Sequence, residues 1–397
     1  MKKNNQYYFK LFICIFLCWV NGFSILSALA QHRLTILVKN NSVTSPSDSI
    51  YAAGEFNNWN PASSSFLFSK TKDGFSLVVE DIKPGAYSFK ITKGSWQRVE
   101  CNANGTNISN REILINTDTT IVCEVLAWRA GDVKSFLVST ASINVQILDT
   151  AFEIPQLNRK RTIRIYLPEG YKNLTKKFPV LYMQDGQNLF DEATGAFGEW
   201  GVDESLDSLE KAKRATCIVV GIDNSSYRLT EYNPFYFERF GGGEGNAYAD
   251  FIAQTLKPYI DRNFRTLPQK ESTLIAGSSM GGLIAYYTML KYPEIFGKAG
   301  IFSPAFWTAD SIRSYTNERA SKTTGKVFFY TGAKEGEQYI NDMQEIAEAF
   351  GLKTSGTAYA VIDVEGKHQE AYWRKWFPEF IRWALIDVNN YIIQLKD

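Results

Sequence analysis

Histidine is the scarcest reactive residue of this chain: 397 residues include only His32 and His368. Cysteine is sparse as well, five in all, and the 43 basic and 42 acidic side chains nearly cancel. So little histidine, with widely spaced cysteines, leaves no ligand set for a zinc site. A net charge of +1 offers no field for nucleic acid or for an anionic membrane surface. Long apolar runs are also missing, apart from residues 9–20. Lys2 and Lys3 precede that run and Ala28-Leu29-Ala30 follows it. This is the order of an export signal cleaved before Gln31, and the run is too short to anchor a folded domain in a bilayer. Neither Cys14 nor Cys18 has the small residues before it that a lipoprotein signal needs. The expectation is a soluble, periplasmic or secreted chain with no membrane anchor, 1–30 being its signal peptide.

Removal of that segment leaves Cys101, Cys123 and Cys217. Cys217, in "ATCIVVGI", reads as core. Cys101 and Cys123 fall on strands expected to be neighbours, where an oxidising compartment permits a disulfide; two unpaired buried thiols are the equal alternative.

With 45% hydrophobic residues, the chain can fill two cores. Residues 31–128 show short alternating runs ("RLTILVKN", "FSLVVEDI", "AYSFKITK", "REILIN") separated by Asn-Asn, Asp-Gly, Pro-Gly and Asn-Gly turns, the pattern of an antiparallel, immunoglobulin-like β-sandwich. A linker is expected over 129–140. From 141 to the C-terminus the runs become continuously apolar ("FPVLYMQDG", "ATCIVVGID", "STLIAGSS", "KAGIFSP", "KVFFYTG", "AYAVIDV") and alternate with helical stretches. That is the texture of an α/β hydrolase fold with a mostly parallel sheet.

One of those runs ends in "AGSSMGG". Gly277-Ser278-Ser279-Met280-Gly281 fits G-x-S-x-G between a strand and a helix, where a turn tight enough to expel bulk at both glycines lifts the serine Oγ above the sheet. Ser278 is the rival hydroxyl, and the glycine spacing selects Ser279 as nucleophile. A serine at its normal pKa needs a base, and the chain offers only two histidines. His32 lies one residue beyond the cleavage point, so His368, after the last strand, takes the role. The acid that orients the imidazole should lie between Ser279 and His368. Glu335, following "KVFFYTG", is the expected one, with Glu337 and Asp363 as alternatives. Oxyanion donors are expected from Met280 at the helix N-terminus and from Gln187 in "MQDGQNLFD", where Gly186 permits close approach. Arg228, Glu231 and Tyr232 in "RLTEYNPF", and Trp307 in "SPAFW", are candidate pocket walls.

Together, "LYMQDGQNLFD", "VVGIDN", "RLTEYNPF", "IAGSSMGG", "YPEIFGKAGIFSPAFW" and "EGKHQEAYW" resemble the esterase D group of α/β hydrolases, which includes carbohydrate esterase family 1 and the siderophore esterases. The resemblance covers roughly 140–390 and implies ester hydrolysis through an acyl-enzyme, without metal or cofactor. In the N-terminal domain, Trp59 and Trp96 with Lys90 have the makings of a glycan platform. "GEFNNWNP" and "YSFKITKGSW" resemble carbohydrate-binding module family 48, which adds Asn58 to the glycan-contacting set. The reading is a serine esterase removing feruloyl or acetyl groups from a polysaccharide or oligosaccharide. The alternatives are a siderophore (catechol ester) esterase and a catalytically silent glycan-binding protein.

Overall fold

The computed structural model describes residues 31–39, 43–45, 47–129, 138–238 and 241–386. The expected signal peptide and residues 130–137 of the expected linker lie outside them. The chain forms two compact units, one reaching Ser139 and also taking in Glu192–Gly198, the other made of Thr140–Asp191 and the chain from Glu199 onward.

The first unit contains β1 (His32–Lys39), β2 (Tyr51–Gly54), β3 (Ser69–Thr71), β4 (Gly74–Ile82), β5 (Gly85–Thr92), β6 (Glu100–Cys101), β7 (Arg111–Ile115), β8 (Thr119–Cys123) and β9 (Ala127–Trp128). They form sheets ordered β3-β4-β1-β8 and β2-β5-β7, with β6-β9 as a short extra pair. Alternation with period two sends Leu34, Ile36, Val38, Phe75 and Leu77 of the first sheet into one core with Ala52, Phe89, Ile91, Ile113 and Ile115 of the second. The unit is not wholly antiparallel, because β8 lies parallel to β1. Cys101 pairs across to Ala127 and Cys123 to Val38, so the two cysteines sit in different sheets, not on neighbouring strands. Both are buried free thiols, and burial pushes both pKa values up.

The second unit is built on β10 (Val145–Ile154), β11 (Arg159–Tyr166), β12 (Val180–Gln184), β13 (Ile218–Ile222), β14 (Thr273–Ser278), β15 (Lys298–Phe302), β16 (Lys326–Gly332) and β17 (Thr357–Asp363). Their order is β10-β11-β13-β12-β14-β15-β16-β17, antiparallel up to β13 and parallel from there on. The apolar runs are continuous because both faces are covered. Tyr182, Ile275, Ile301 and Val327 point into one core with helices Met280–Lys291 and Glu337–Lys353. Their neighbours Leu181, Leu274, Phe302 and Phe328 point into another with helices Val202–Lys211 and Glu370–Leu385. Among the described residues no helix is long and apolar enough to cross a membrane. Chain order reverses at β12 and β14, and the crevice beyond the carboxyl ends of such strands is where open α/β sheets bind ligands.

Helix Val202–Lys211 carries a buried acid. Asp203 Oδ2 accepts the Ser142 N–H at 2.7 Å, while Oδ1 has no hydrogen-bond partner among the described residues. Burial disfavours its charge more than that N–H favours it, and the pKa rises from 3.8 to about 8. The folded state therefore keeps a proton that the unfolded chain releases, so this stabilisation is complete below the unfolded pKa and is lost as pH rises toward the folded one. The melting temperature should fall from about pH 5 to about pH 8, and Asp203→Asn should flatten that decline in a thermal-melt series.

Candidate active site

β14 ends at Ser278, which is buried in the strand and paired with Phe302. Ser279 follows at φ 56°, ψ −125°, and helix Met280–Lys291 starts at once. A left-handed serine costs on the order of 1–3 kcal/mol and persists only where its surroundings enforce it. Here the Ser279 N–H donates to Phe302 O at 2.9 Å, and Ser279 O accepts from Leu283 N and Ala305 N, both at 3.1 Å. The flanking glycines have a steric reason. A methyl on Gly277 would sit 2.6 Å from the Gly281 carbonyl, and one on Gly281 would sit 3.0 Å from Gln184 Cβ. The turn thus leaves Ser278 inside and Ser279 half-buried at the sheet edge.

Glu335 lies two strands away in the turn Ala333–Glu335 after β16, and His368 follows β17. His368 Nδ1 is 2.7 Å from Glu335 Oε2. With Nδ1–H donating to the carboxylate, Nε2 carries the lone pair, which is the tautomer a general base needs. The Glu335 side chain is 0% exposed, and its Oε1 accepts from Gly332 N at 2.7 Å and Ser303 Oγ at 2.6 Å. The imidazole sits between the rings of Tyr339 and Trp373, each with its centroid 5.1 Å away. Of the other two carboxylates, Glu337 is exposed on the next helix. Asp363 is bound by Lys375 Nζ at 2.9 Å and Trp376 Nε1 at 2.8 Å. Burial opposes its ionisation, yet those hydrogen bonds prevail and hold its pKa below the usual value.

Beside the serine turn, β12 runs into left-handed Asp185 and the turn Gly186–Asn188. A methyl on Gly186 would lie 2.7 Å from Asp223 Oδ1 and 2.8 Å from the Gly221 carbonyl carbon, so the glycine lets this turn press on the end of β13. Gln187 Oε1 accepts the Asn224 N–H at 3.0 Å, which orients that side chain. Met280 contributes the first backbone N–H of its helix. Tyr232 departs from the expected pocket wall: it is fully buried, and its hydroxyl accepts the Asp185 N–H at 3.3 Å. Arg228 forks both its hydrogen bonds onto Asp185, each 2.8 Å. Glu231 is fully buried, and its Oε1 takes Arg159 at 2.9 Å and Arg161 at 2.7 Å. Trp307 is half-buried, in a turn held by Thr308, whose backbone oxygen accepts from Asn233 Nδ2 at 2.8 Å.

In the first unit Trp59 and Trp96 do come together, centroids 6.2 Å apart. The turn that brings Trp59 round has both Asn58 and Trp59 at φ 57°. A residue that local sequence does not reveal joins them: Phe197, of the Glu192–Gly198 segment, packs 5.5 Å from Trp59 and 4.7 Å from Trp96. Lys90 does not display its amine as a platform requires. It is 0% exposed, and Nζ donates to Ile108 O.

The Esterase family model, described as "Putative esterase", matches residues 154–384, more than half the chain. This chain belongs to the esterase family. The esterase is 28% identical over 233 residues to the endo-1,4-beta-xylanase/feruloyl esterase of Xylanibacter ruminicola, a match covering 58% of this chain and 30% of that protein. It is 27% identical over 234 residues to the iron(III) salmochelin esterase of Escherichia coli O6:H1, covering 54% of this chain and 52% of the relative. The chain thus spans only part of the length of these two relatives. Among solved structures, the enterobactin esterase of Shigella flexneri shares the fold at a TM-score of 0.51 and 13% identity, over 89% of this chain and 90% of that one. The protein is a carboxylic ester hydrolase.

Ser303 was not singled out by sequence reasoning, although it opens the "SPAFW" stretch whose tryptophan was. Its signal is that it begins a loop at a strand's carboxyl end. Its partner is 32 residues away, so no local pattern pairs them.

Proposed function

We propose that the esterase is an exported serine enzyme that removes feruloyl or acetyl groups from a polysaccharide or oligosaccharide through an acyl-enzyme. The observation that carries this reading is the Nδ1–carboxylate pair of His368 and Glu335, set on the same sheet edge as a left-handed serine. Ser279 Oγ attacks the ester carbonyl as His368 Nε2 takes its proton. Glu335 stabilises the imidazolium, and the Met280 and Gln187 donors hold the tetrahedral oxyanion. Collapse expels the alcohol, which takes the proton from His368, and water then repeats the sequence on the acyl-serine. Arg228, through Asp185, braces the turn that carries Gln187, and Trp307 lines the acyl side. Trp59, Trp96 and Asn58 contact the glycan. A relative that joins a xylanase to a feruloyl esterase supports the choice of substrate.

The mature protein should release ferulate from methyl ferulate and from feruloylated arabinoxylan, with Trp96→Ala depressing only the polymer reaction. A second reading, hydrolysis of a cyclic catecholate ester, has the match to the salmochelin esterase in its favour. Turnover of such a tri-ester with none of methyl ferulate would select it. Failure of every ester would leave a glycan-binding protein.

A further inference from the structure

Ser303 occupies a position that only a hydroxyl can serve. Trp373 Nε1 lies 2.9 Å from Ser303 Oγ, which lies 2.6 Å from Glu335 Oε1. An indole N–H only donates, so it takes an Oγ lone pair and leaves the serine proton to the carboxylate. The direction of the chain is thereby fixed: Trp373 to Ser303 to Glu335. The Gly332 N–H reaches the same Oε1 at 2.7 Å, so that oxygen holds two donors while Oε2 faces His368 Nδ1 at 2.7 Å. Two donors on one oxygen fix the rotation of the carboxylate about its last bond, which a single contact to the imidazole leaves open. Ser303, 0% exposed, and Trp373, 4% exposed, are both buried.

The backbone is committed to this arrangement. Ser303 stands at φ 42°, a region a non-glycine residue enters only under constraint, and its N–H donates to Tyr330 O at 2.6 Å. Trp373 is held in turn by the ring of Trp200, 5.6 Å away, and sets its own ring nearly perpendicular to His368, at 86°. One residue thus shapes the site twice, packing the imidazole with its ring and orienting the imidazole's partner through Ser303.

We infer that Ser303 and Trp373 are positioning residues for catalysis, acting in series to lock the rotamer of Glu335. This rests on the proposed roles of His368 and Glu335. The test is a double-mutant cycle on p-nitrophenyl acetate hydrolysis, with Glu335→Gln run beside it. Ser303→Ala should lower kcat about tenfold with KM within about twofold, as expected when a hydrogen bond to a charged group that matters in the transition state is lost. Trp373→Phe removes the donor and leaves a smaller aromatic ring in its place. It should cost about threefold in the native background and nothing further in Ser303→Ala, because residues acting in series do not multiply their effects. Should Ser303→Ala fail to fold, Ser303→Gly accepts the positive φ without the hydroxyl and should show the same loss.

Native kcat in either Ser303 variant would overturn the inference, as would losses that multiply in the double variant, the mark of two independent structural defects. If Glu335→Gln loses activity while Ser303→Ala does not, only this inference fails. If Glu335→Gln also keeps native kcat, the catalytic assignment falls with it.

Discussion

Ser279→Ala is expected to lower kcat for any ester this enzyme cleaves by on the order of 10⁴ to 10⁶, leaving KM close to native. The size follows from what the side chain does. Without Oγ no acyl-enzyme forms, and the residual rate comes from water attacking a carbonyl polarised by whatever oxyanion donors remain. The substitution should be gentle on the fold. Ser279 is half-buried, and its backbone hydrogen bonds to Phe302, Leu283 and Ala305 involve no side-chain atom. Steady-state rates with p-nitrophenyl acetate, set beside a thermal melt, check both halves. A variant that melts like the native protein and still turns over would remove Ser279 from the mechanism and with it the acyl-enzyme.

Glu335→Gln is the second large effect, a fall in kcat of about 10³ to 10⁴. The replacement is nearly isosteric and can keep a contact at the 2.7 Å now spanned to Nδ1. Its amide offers a carbonyl or an NH₂ there, and either face loses the charge that stabilises the imidazolium. If the NH₂ faces Nδ1 it also stabilises the wrong tautomer, moving the proton to Nε2, where the base must be empty. Asp363→Asn provides the contrast. Asp363 is committed to Lys375 and Trp376, so its loss should register in melting and leave the rate within a few-fold. Loss of rate in the Asp363 variant with none in the Glu335 variant would exchange their roles.

The serine turn was legible because its requirements are local. Two glycines must lie within a few residues of a serine where a strand becomes a helix, and the contacts of Gly277 and Gly281 show why these two positions have little room for a side chain. The contact of His368 with Glu335 was anticipated because so few histidines compete and because Glu335 follows a strand, but chain order alone left Glu337 and Asp363 open as well. What could not be read depends on partners remote in sequence. Ser303 and Trp373 are 70 residues apart, and Phe197 meets Trp59 and Trp96 from far along the chain. Lys90 misled for a different reason. On a strand of alternating faces a lysine signals the outer side, but here Nζ finds the Ile108 carbonyl and the whole side chain is enclosed. The parallel pairing of β1 with β8 was hidden too, since short alternating runs look alike whichever way a neighbour points.

The placement of Glu192–Gly198 with the first unit bears on how such a protein can be dissected or can have arisen. The chain passes between units at 139/140, again at 191/192 and back at 198/199, so a single cut does not separate them. A fragment beginning at Thr140 would carry Phe197 stripped of both indoles it packs on, and the complementary fragment would bare those indoles. A binding module joined by a simple tether can be gained, lost or exchanged in one recombination event. Here the first unit is drawn from two separate stretches of sequence, so exchanging it intact would require both stretches to move together.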